Sequence, residues 1–361
     1  MKRILRTPGK FIVGRGEIGN LSEYILPYGG KALLIALKED AERVRYGLDK
    51  AARSGVGFVE TGFCGECCMS EIDRIIRECQ GEAFDVIVGL GGGKALDTAK
   101  AVSRRVNKPL IIVPTIASTD APCSALLILY SDDHVMIGSE TMVKSPDIVL
   151  ADSEVIANAP KRFLVAGMGD AFATYYEARA CVRSCAFNYA GGLYTQAAWQ
   201  MARLCRDVLL EDSVKALEAC EHSVVTPALE NIIEANLYLS GIGFESVGCA
   251  AAHGIHNALT VLEETHGAMH GEKVAIGLLV QLILENAPEE ELRTVMDYYR
   301  RVGLPTTLAG IGIAEPVETK LCKVARRALE RPKPLTNHAF PLDEEMIVAA
   351  LKTVDSLGER F

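Results

Sequence analysis

The chain has 361 residues, enough for two domains with substantial cores. Apolar residues make up 49% and charged residues 24%, the proportions of an ordinary globular protein, which excludes disordered and fibrous classes. Lys plus Arg number 38 against 47 Asp plus Glu, giving a net charge of −9 with the acids dispersed along the chain, so nothing steers it toward nucleic acid.

The N-terminal stretch MKRILRTPGKFIVG is basic but lacks an apolar core followed by a small-residue cleavage site. This predicts no secretory signal and a cytoplasmic protein. FIVG, KALLIAL at 31–37, VGFVE, DVIVGL at 85–90, PLIIVP and DIVLAD are predicted strands. All fall well short of the roughly 18 apolar residues that cross a bilayer, so no membrane partner is expected. AERVRYGLDKAARSG and SEIDRIIRECQ between them carry apolar residues at three and four spacing. The alternation predicts parallel βαβ units with both sheet faces covered. Eleven cysteines, mostly inside apolar segments, predict reduced, buried thiols. Cys64, Cys67 and Cys68 have the spacing of a redox motif or half a zinc site, but with no second CxxC or nearby His they read as a loop with incidental thiols.

The segment at 85–102 runs from an apolar strand through Gly89, Gly91, Gly92 and Gly93 directly into a helix. Glycines without Cβ let a phosphate approach the backbone, and the helix N-terminus faces it with free N–H groups. Ala95 after Lys94 and the missing GxxxxGK[ST] spacing exclude a Walker loop, and a tight strand-to-helix turn is the other reading. The loop after the next strand, at 114–125, holds Thr115, Ser118, Thr119, Asp120 and Ser124. Hydroxyls and a carboxylate at a parallel strand's carboxyl end suit a ribose or polyol. Equally, Thr119 or Asp120 could cap the next segment.

After Pro160 the apolar period is about 3.6, which predicts a helical second half and a division at 158/159. That half holds Asp170, the pair His253 and His256 three residues apart on one helix face, and His266 and His270, the latter among glycines that suggest a loop or helix end. A carboxylate and two imidazoles could hold a divalent metal with one position open, although each histidine alone is more often a core or surface group.

Taken together, TPGKFIVG, GLGGGKALDTAKA, PTIASTDAPCSALLILY, GMGDAFATYYEARAC, VVTPALENIIEANLYLSGIGFES and AAHGIHNALT followed by HGEKVAIGLLVQL resemble the glycerol dehydrogenases of the metal-dependent, iron-containing type alcohol dehydrogenase superfamily. The resemblance implies a dehydroquinate synthase-like fold. An α/β N-terminal domain with a parallel Rossmann-like sheet, residues 1–158, would bind the dinucleotide, and an all-α C-terminal helical domain, residues 159–361, would bind metal and substrate. It also implies a zinc ion on Asp170, His253 and His270. Gly91, Gly92, Gly93, Lys94, Ala95, Leu96 and Asp97 would cradle the NAD pyrophosphate. Thr115, Ile116, Ala117, Ser118, Ser124, Leu126 and Tyr130 would line the cofactor, and Asp120 would contact a small polyol substrate. Iron-using relatives often have a further His where this chain has Thr174, which points to zinc. His256 and His266 are candidates for supporting roles.

Two departures stand out. The acid that usually binds the adenine ribose is replaced by Leu37, followed by Lys38, which leaves NADP possible beside NAD. The segment SDDHVMIGSETMVKSP after Tyr130 differs from its usual form, so the substrate need not be glycerol. The leading expectation is NAD- and zinc-dependent oxidation of glycerol or another small vicinal diol by a homo-oligomer. The alternatives are an NADP-preferring reductase of another small 2-hydroxy or 2-oxo compound, a dehydroquinate synthase-like lyase and a non-catalytic nucleotide-binding protein.

Overall fold

The computed structural model describes residues 1–133, 135–330 and 333–360. Eight strands are described: β1 (Lys10–Gly14), β2 (Lys31–Ala36), β3 (Gly57–Gly62), β4 (Val86–Gly91), β5 (Leu110–Pro114), β6 (Leu126–Tyr130), β7 (Met136–Thr141) and β8 (Ile148–Asp152). Six of them form one parallel sheet in the order β1-β8-β5-β4-β2-β3. Alternate residues of a strand face opposite sides, so two cores form. Leu33, Ile35, Ile87, Ile112 and Val149 point into a core continuous with the helical half, while Leu34, Val88, Val113 and Leu150 face a second core with Leu48 and Ala51.

After β3 the chain returns past β2 to lay down β4, so the order of strand addition reverses between β2 and β4. Ligands of open α/β sheets bind at the carboxyl ends on either side of such a switch. Here those ends are Ala36 and Gly91.

Two features depart from the sequence expectation. AERVRYGLDKAARSG does not form one helix; the chain breaks at Val44 between helices Lys38–Arg43 and Arg45–Arg53. β6 and β7 form a separate antiparallel hairpin that the apolar pattern did not announce, because MIGSET is polar and only half-buried. His134, within its connection, lies outside the described residues.

The last strand ends at Asp152, and every later regular element among the described residues is helical. The metal-candidate residues lie on Lys161–Ser184, Ala251–Leu259 and His270–Leu284, which pack together. Helix Pro227–Glu234 runs through a π-helical turn, Ala235–Leu239, into helix Ser240–Ser246. The N-terminus reaches back to this half: the Ile4 N–H donates to the Leu193 carbonyl at 3.0 Å, and Arg6 pairs with the buried Glu245 at 3.3 Å.

Candidate active site

Asp170 lies mid-helix with no exposed surface, and one turn further on the same face stands Thr174, followed by Glu177. His253 is in the first turn of its helix, and His270 is the first residue of its own. The three elements converge. Asp170 Oδ1 lies 3.3 Å from His253 Nε2 and 3.2 Å from His270 Nε2. One carboxylate oxygen and two imidazole nitrogens, all within 4.8 Å of one another, thus face a common point. His270 keeps 34% of its side chain exposed, so that point opens to the outside.

Whether these residues suit a divalent cation can be judged from charge and tautomer. Three carboxylates, Asp120, Asp170 and Glu177, are buried here, and among the described residues no Lys or Arg pairs with any of them. Buried acids without a compensating cation are costly, so the cradle is short of positive charge. Glu177 Oε2 lies 2.6 Å from His253 Nδ1, while its Oε1 accepts the N–H groups of Ala250 at 2.7 Å and His253 at 2.9 Å. A proton held on Nδ1 leaves Nε2 with a free lone pair aimed at the common point, as metal-bound imidazoles require. The donor set fits a zinc-type ion with an open position.

Burial opposes ionisation of Asp170, but His270 and His253 outweigh it and hold the carboxyl well below its usual range. Burial likewise opposes charging of His253, and Glu177 and Cys249 overcome it, pushing the ring well above an ordinary imidazole. Burial, then the neighbouring Asp170, drives Asp120 well up. His256, its ring centroid 4.2 Å from that of His270, is pushed well down by burial and by the charges of His270 and His253. It stands behind the cluster with Nδ1 3.1 Å from Asn257 Oδ1. The exposed His266 faces the Thr260 carbonyl instead. Cys249 completes a second candidate trio with Glu177 and His253, but the His253 nitrogen facing Glu177 is already engaged by that carboxylate.

Asp120 sits at the carboxyl-end loop of β5. Its N–H donates to Asp170 Oδ2 at 3.2 Å, and its own Oδ2 accepts from Ser240 Oγ at 2.9 Å. It begins a short 3-10 turn without capping it, so the carboxylate is turned toward the cluster and the capping alternative is not realised. Ser124 is buried, its hydroxyl donating to the Ala121 carbonyl at 3.1 Å. Thr115 Oγ1 donates to Asp40 Oδ1 at 2.8 Å, Ala117 is buried, and Ile116 and Ser118 are partly exposed.

The glycine loop lies at the sheet's switch point. Gly91 has φ +136°, a conformation glycine adopts freely, and Gly92 precedes helix Gly93–Val106 without a side chain to cap it. The first helical N–H groups therefore face the crevice. Lys94 is half exposed, bonded to Glu66 Oε2 at 2.7 Å and lying over the Tyr130 ring at 5.1 Å. Ala95, Leu96 and Asp97 turn inward. Asp97 pairs with the buried Lys100 at 3.1 Å and accepts the Ile128 N–H at 3.0 Å, so its carboxylate is committed to the interior. Leu126 and Tyr130 are half-buried on β6, and the Tyr130 N–H donates to the Cys67 carbonyl at 2.9 Å. The Cys64–Cys68 loop thereby braces this wall. Cavities of about 590 and 510 Å³ lie elsewhere, around Arg179 and around Phe84, so donor convergence rather than cavity size locates the site.

Glu177 is the residue sequence reasoning missed. Its only signal is a second acid seven residues after Asp170 on the same face of a largely apolar helix.

The chain resembles known proteins over its full length. The sequence profile of iron-containing alcohol dehydrogenases matches residues 8–153. The chain is 46% identical to a glycerol dehydrogenase of Escherichia coli O6:H1 over 362 residues, covering 100% of this chain and 99% of the relative. It is 39% identical to a glycolaldehyde reductase of Halobacterium salinarum, covering 100% and 99%. The solved glycerol dehydrogenase of Schizosaccharomyces pombe superposes with a TM-score of 0.96 at 34% identity, covering 99% of this chain and 92% of that one.

Proposed function

The chain belongs to the iron-containing alcohol dehydrogenase family and is an alcohol dehydrogenase-type enzyme, and from that premise we propose that it oxidises glycerol or a related small vicinal diol to the hydroxy-ketone, with NAD as hydride acceptor and zinc as its metal. The observation that carries this reading is the convergence of Asp170, His253 and His270 beside Asp120 of the β5 loop.

Asp170, His253 and His270 would hold zinc, which supplies Lewis acidity and lowers the alcohol's pKa so that its proton is lost near neutral pH. Zinc rather than iron suits a set in which Thr174 stands one turn beyond Asp170 and is engaged with Ser240 at 2.7 Å. The Gly91–Lys94 loop would hold NAD, which would supply the hydride acceptor, so that a diol would give the hydroxy-ketone, NADH and a proton. Glu177 fixes His253 with Nε2 free. Asp120, its backbone tied to Asp170, receives a second hydroxyl of the substrate beside the reacting one. The glycine loop would bind the diphosphate by backbone N–H groups, with Lys94, held by Glu66, as the nearby cation. Alignment of the reacting carbon with the nicotinamide is the remaining contribution of the protein.

The Halobacterium relative favours a second reading on the same site, the reduction of a small hydroxy-aldehyde. One panel separates the two: glycerol, 1,2-propanediol and 2-hydroxy acids with NAD or NADP, and glycolaldehyde with NADH or NADPH, each with and without zinc. The expected result is zinc-dependent NADH formation from a diol, abolished by chelation and by Asp170→Asn. Undiminished turnover in a metal-free sample refutes it.

A further inference from the structure

Thr174 and Ser240 are both fully buried, yet each carries a hydroxyl that alanine or valine would spare the interior. Their oxygens are 2.7 Å apart, and Ser240 Oγ donates to Asp120 Oδ2 at 2.9 Å. A serine has one proton to give. With Asp120 ionised that proton goes to its carboxylate and Thr174 donates to Ser240, so the chain of bonds runs from the metal-ligand helix to the substrate loop.

The local backbone is built around this contact. Ser240 directly follows the π-helical turn Ala235–Leu239, a widened turn of a type frequent at functional sites. Within that turn Asn236 donates its amide to the Ala117 carbonyl at 3.0 Å and the Leu164 carbonyl at 3.2 Å, so two side chains of the segment grip the same β5 loop. Gly241 and Gly243 follow the serine closely. A Cβ on Gly241 would come within 3.0 Å of the Asp120 carbonyl oxygen, and one on Gly243 within 2.4 Å of Thr174 Cγ2. The helix is reduced to backbone where it meets the loop and where it meets the metal-ligand helix.

We propose that Thr174 and Ser240 are positioning residues that clamp Asp120 Oδ2, turn its other oxygen toward a second substrate hydroxyl, and so select vicinal diols over mono-alcohols. This rests on the proposed diol oxidation. It assigns Thr174 the task of orienting a carboxylate that sits 50 residues earlier in the chain than the metal ligand Asp170.

The test compares 1,2-propanediol with 2-propanol in the zinc-loaded enzyme and its Ser240→Ala, Thr174→Val and Thr174→Ser variants. Bound zinc and NADH affinity are measured alongside. Loss of a charge-assisted bond should raise the diol KM of Ser240→Ala about tenfold or more, while 2-propanol kcat/KM stays within about twofold. Thr174→Val should shift in the same direction, and Thr174→Ser, which keeps the hydroxyl, should restore wild-type diol KM. Zinc content and NADH affinity should stay at wild-type values in all three. An unchanged diol KM in Ser240→Ala, or a parallel fall for both alcohols, overturns the assignment. If Ser240→Ala does not fold, the Val and Ser variants at Thr174 decide it, equal KM values overturning it. A wild-type enzyme that oxidises neither alcohol overturns the proposed function instead, and the diol selection with it.

Discussion

Replacing Glu177 by Gln should weaken zinc binding without unfolding the protein. The carboxylate makes three short contacts: Oε1 with the Ala250 and His253 N–H groups at 2.7 and 2.9 Å, and Oε2 with His253 Nδ1 at 2.6 Å. A glutamine amide oxygen must stay on the two backbone donors, which places its NH₂ against Nδ1. Nδ1 then has to accept, so the imidazole proton moves to Nε2, the atom 3.3 Å from Asp170 that faces the common point. A protonated Nε2 cannot ligate. Loss of such an orienting partner lowers metal affinity by about 10- to 100-fold, or about 1.4–2.8 kcal/mol. Both backbone bonds survive, so the zinc-free Tm should be close to wild type. Glu177→Ala differs, because it strands two buried N–H groups at about 1–3 kcal/mol each, a large share of a domain's stability. Chelator competition gives the zinc Kd, calorimetry gives the zinc-free Tm, and histidine ¹⁵N shifts report the tautomer. Zinc affinity within about twofold of wild type in Glu177→Gln would refute the tautomer argument.

Gly91→Ala should cost about 1–3 kcal/mol and weaken NADH binding, because φ is +136° and the new Cβ would lie 2.9 Å from Asp40 Oδ2; denaturation and fluorescence titration check both. Leu37→Asp should raise the NAD over NADP preference about tenfold, since it adds an acceptor for ribose hydroxyls that repels a 2′-phosphate; the ratio of kcat/KM values reads it. His338 gives a pH signature. Burial lowers its pKa to about 4, and its Nε2 accepts the Ala251 N–H at 3.2 Å. The 3.6 Å approach to Glu285 would favour a charged ring, but burial also pushes the Glu285 carboxyl up, and Gln281 and Arg179 already engage it, so the neutral ring prevails. The folded-state value is depressed below the unfolded ~6.5, so the contribution is complete above about pH 6.5 and is lost as pH falls toward about 4, by at most about 3 kcal/mol. His338→Gln should flatten urea-unfolding stability across that window.

The centre of the sheet was legible because β2, β4 and β5 are apolar runs buried on both faces, and such runs have few other solutions. The hairpin was not: the β7 sequence MIGSET offers neither an apolar run nor a clean alternation, and its pairing with β6 supplies the missing information. Residue types suited to a metal could be read, but their meeting could not, since Asp170 and His270 are 100 positions apart and only packing of their helices joins them. Within the glycine segment the pattern could not tell a side chain facing the crevice from one facing the core. Lys94 faces out, whereas Asp97, three residues on, is committed to Lys100.

The β5 loop is the seam that ties the two halves of the chain together. Four bonds cross there: Asp120 N–H to Asp170 at 3.2 Å, Asn236 to the Ala117 carbonyl at 3.0 Å, Ser240 to Asp120 at 2.9 Å, and Ala125 N–H to Glu245 at 3.0 Å. At about 1 kcal/mol net apiece, tearing them would cost about 4 kcal/mol and would also strip Asp170 of a partner that fixes it. Any opening that admits a dinucleotide must therefore pivot on this seam rather than break it. The Gly91–Lys94 edge is tied to the same loop, since the Thr115 N–H donates to the Gly91 carbonyl at 3.1 Å, and Lys94 is held by Glu66 at 2.7 Å. Asp170, Asp120 and the loop would then keep one geometry while a dinucleotide exchanges, as the proposed hydride transfer requires.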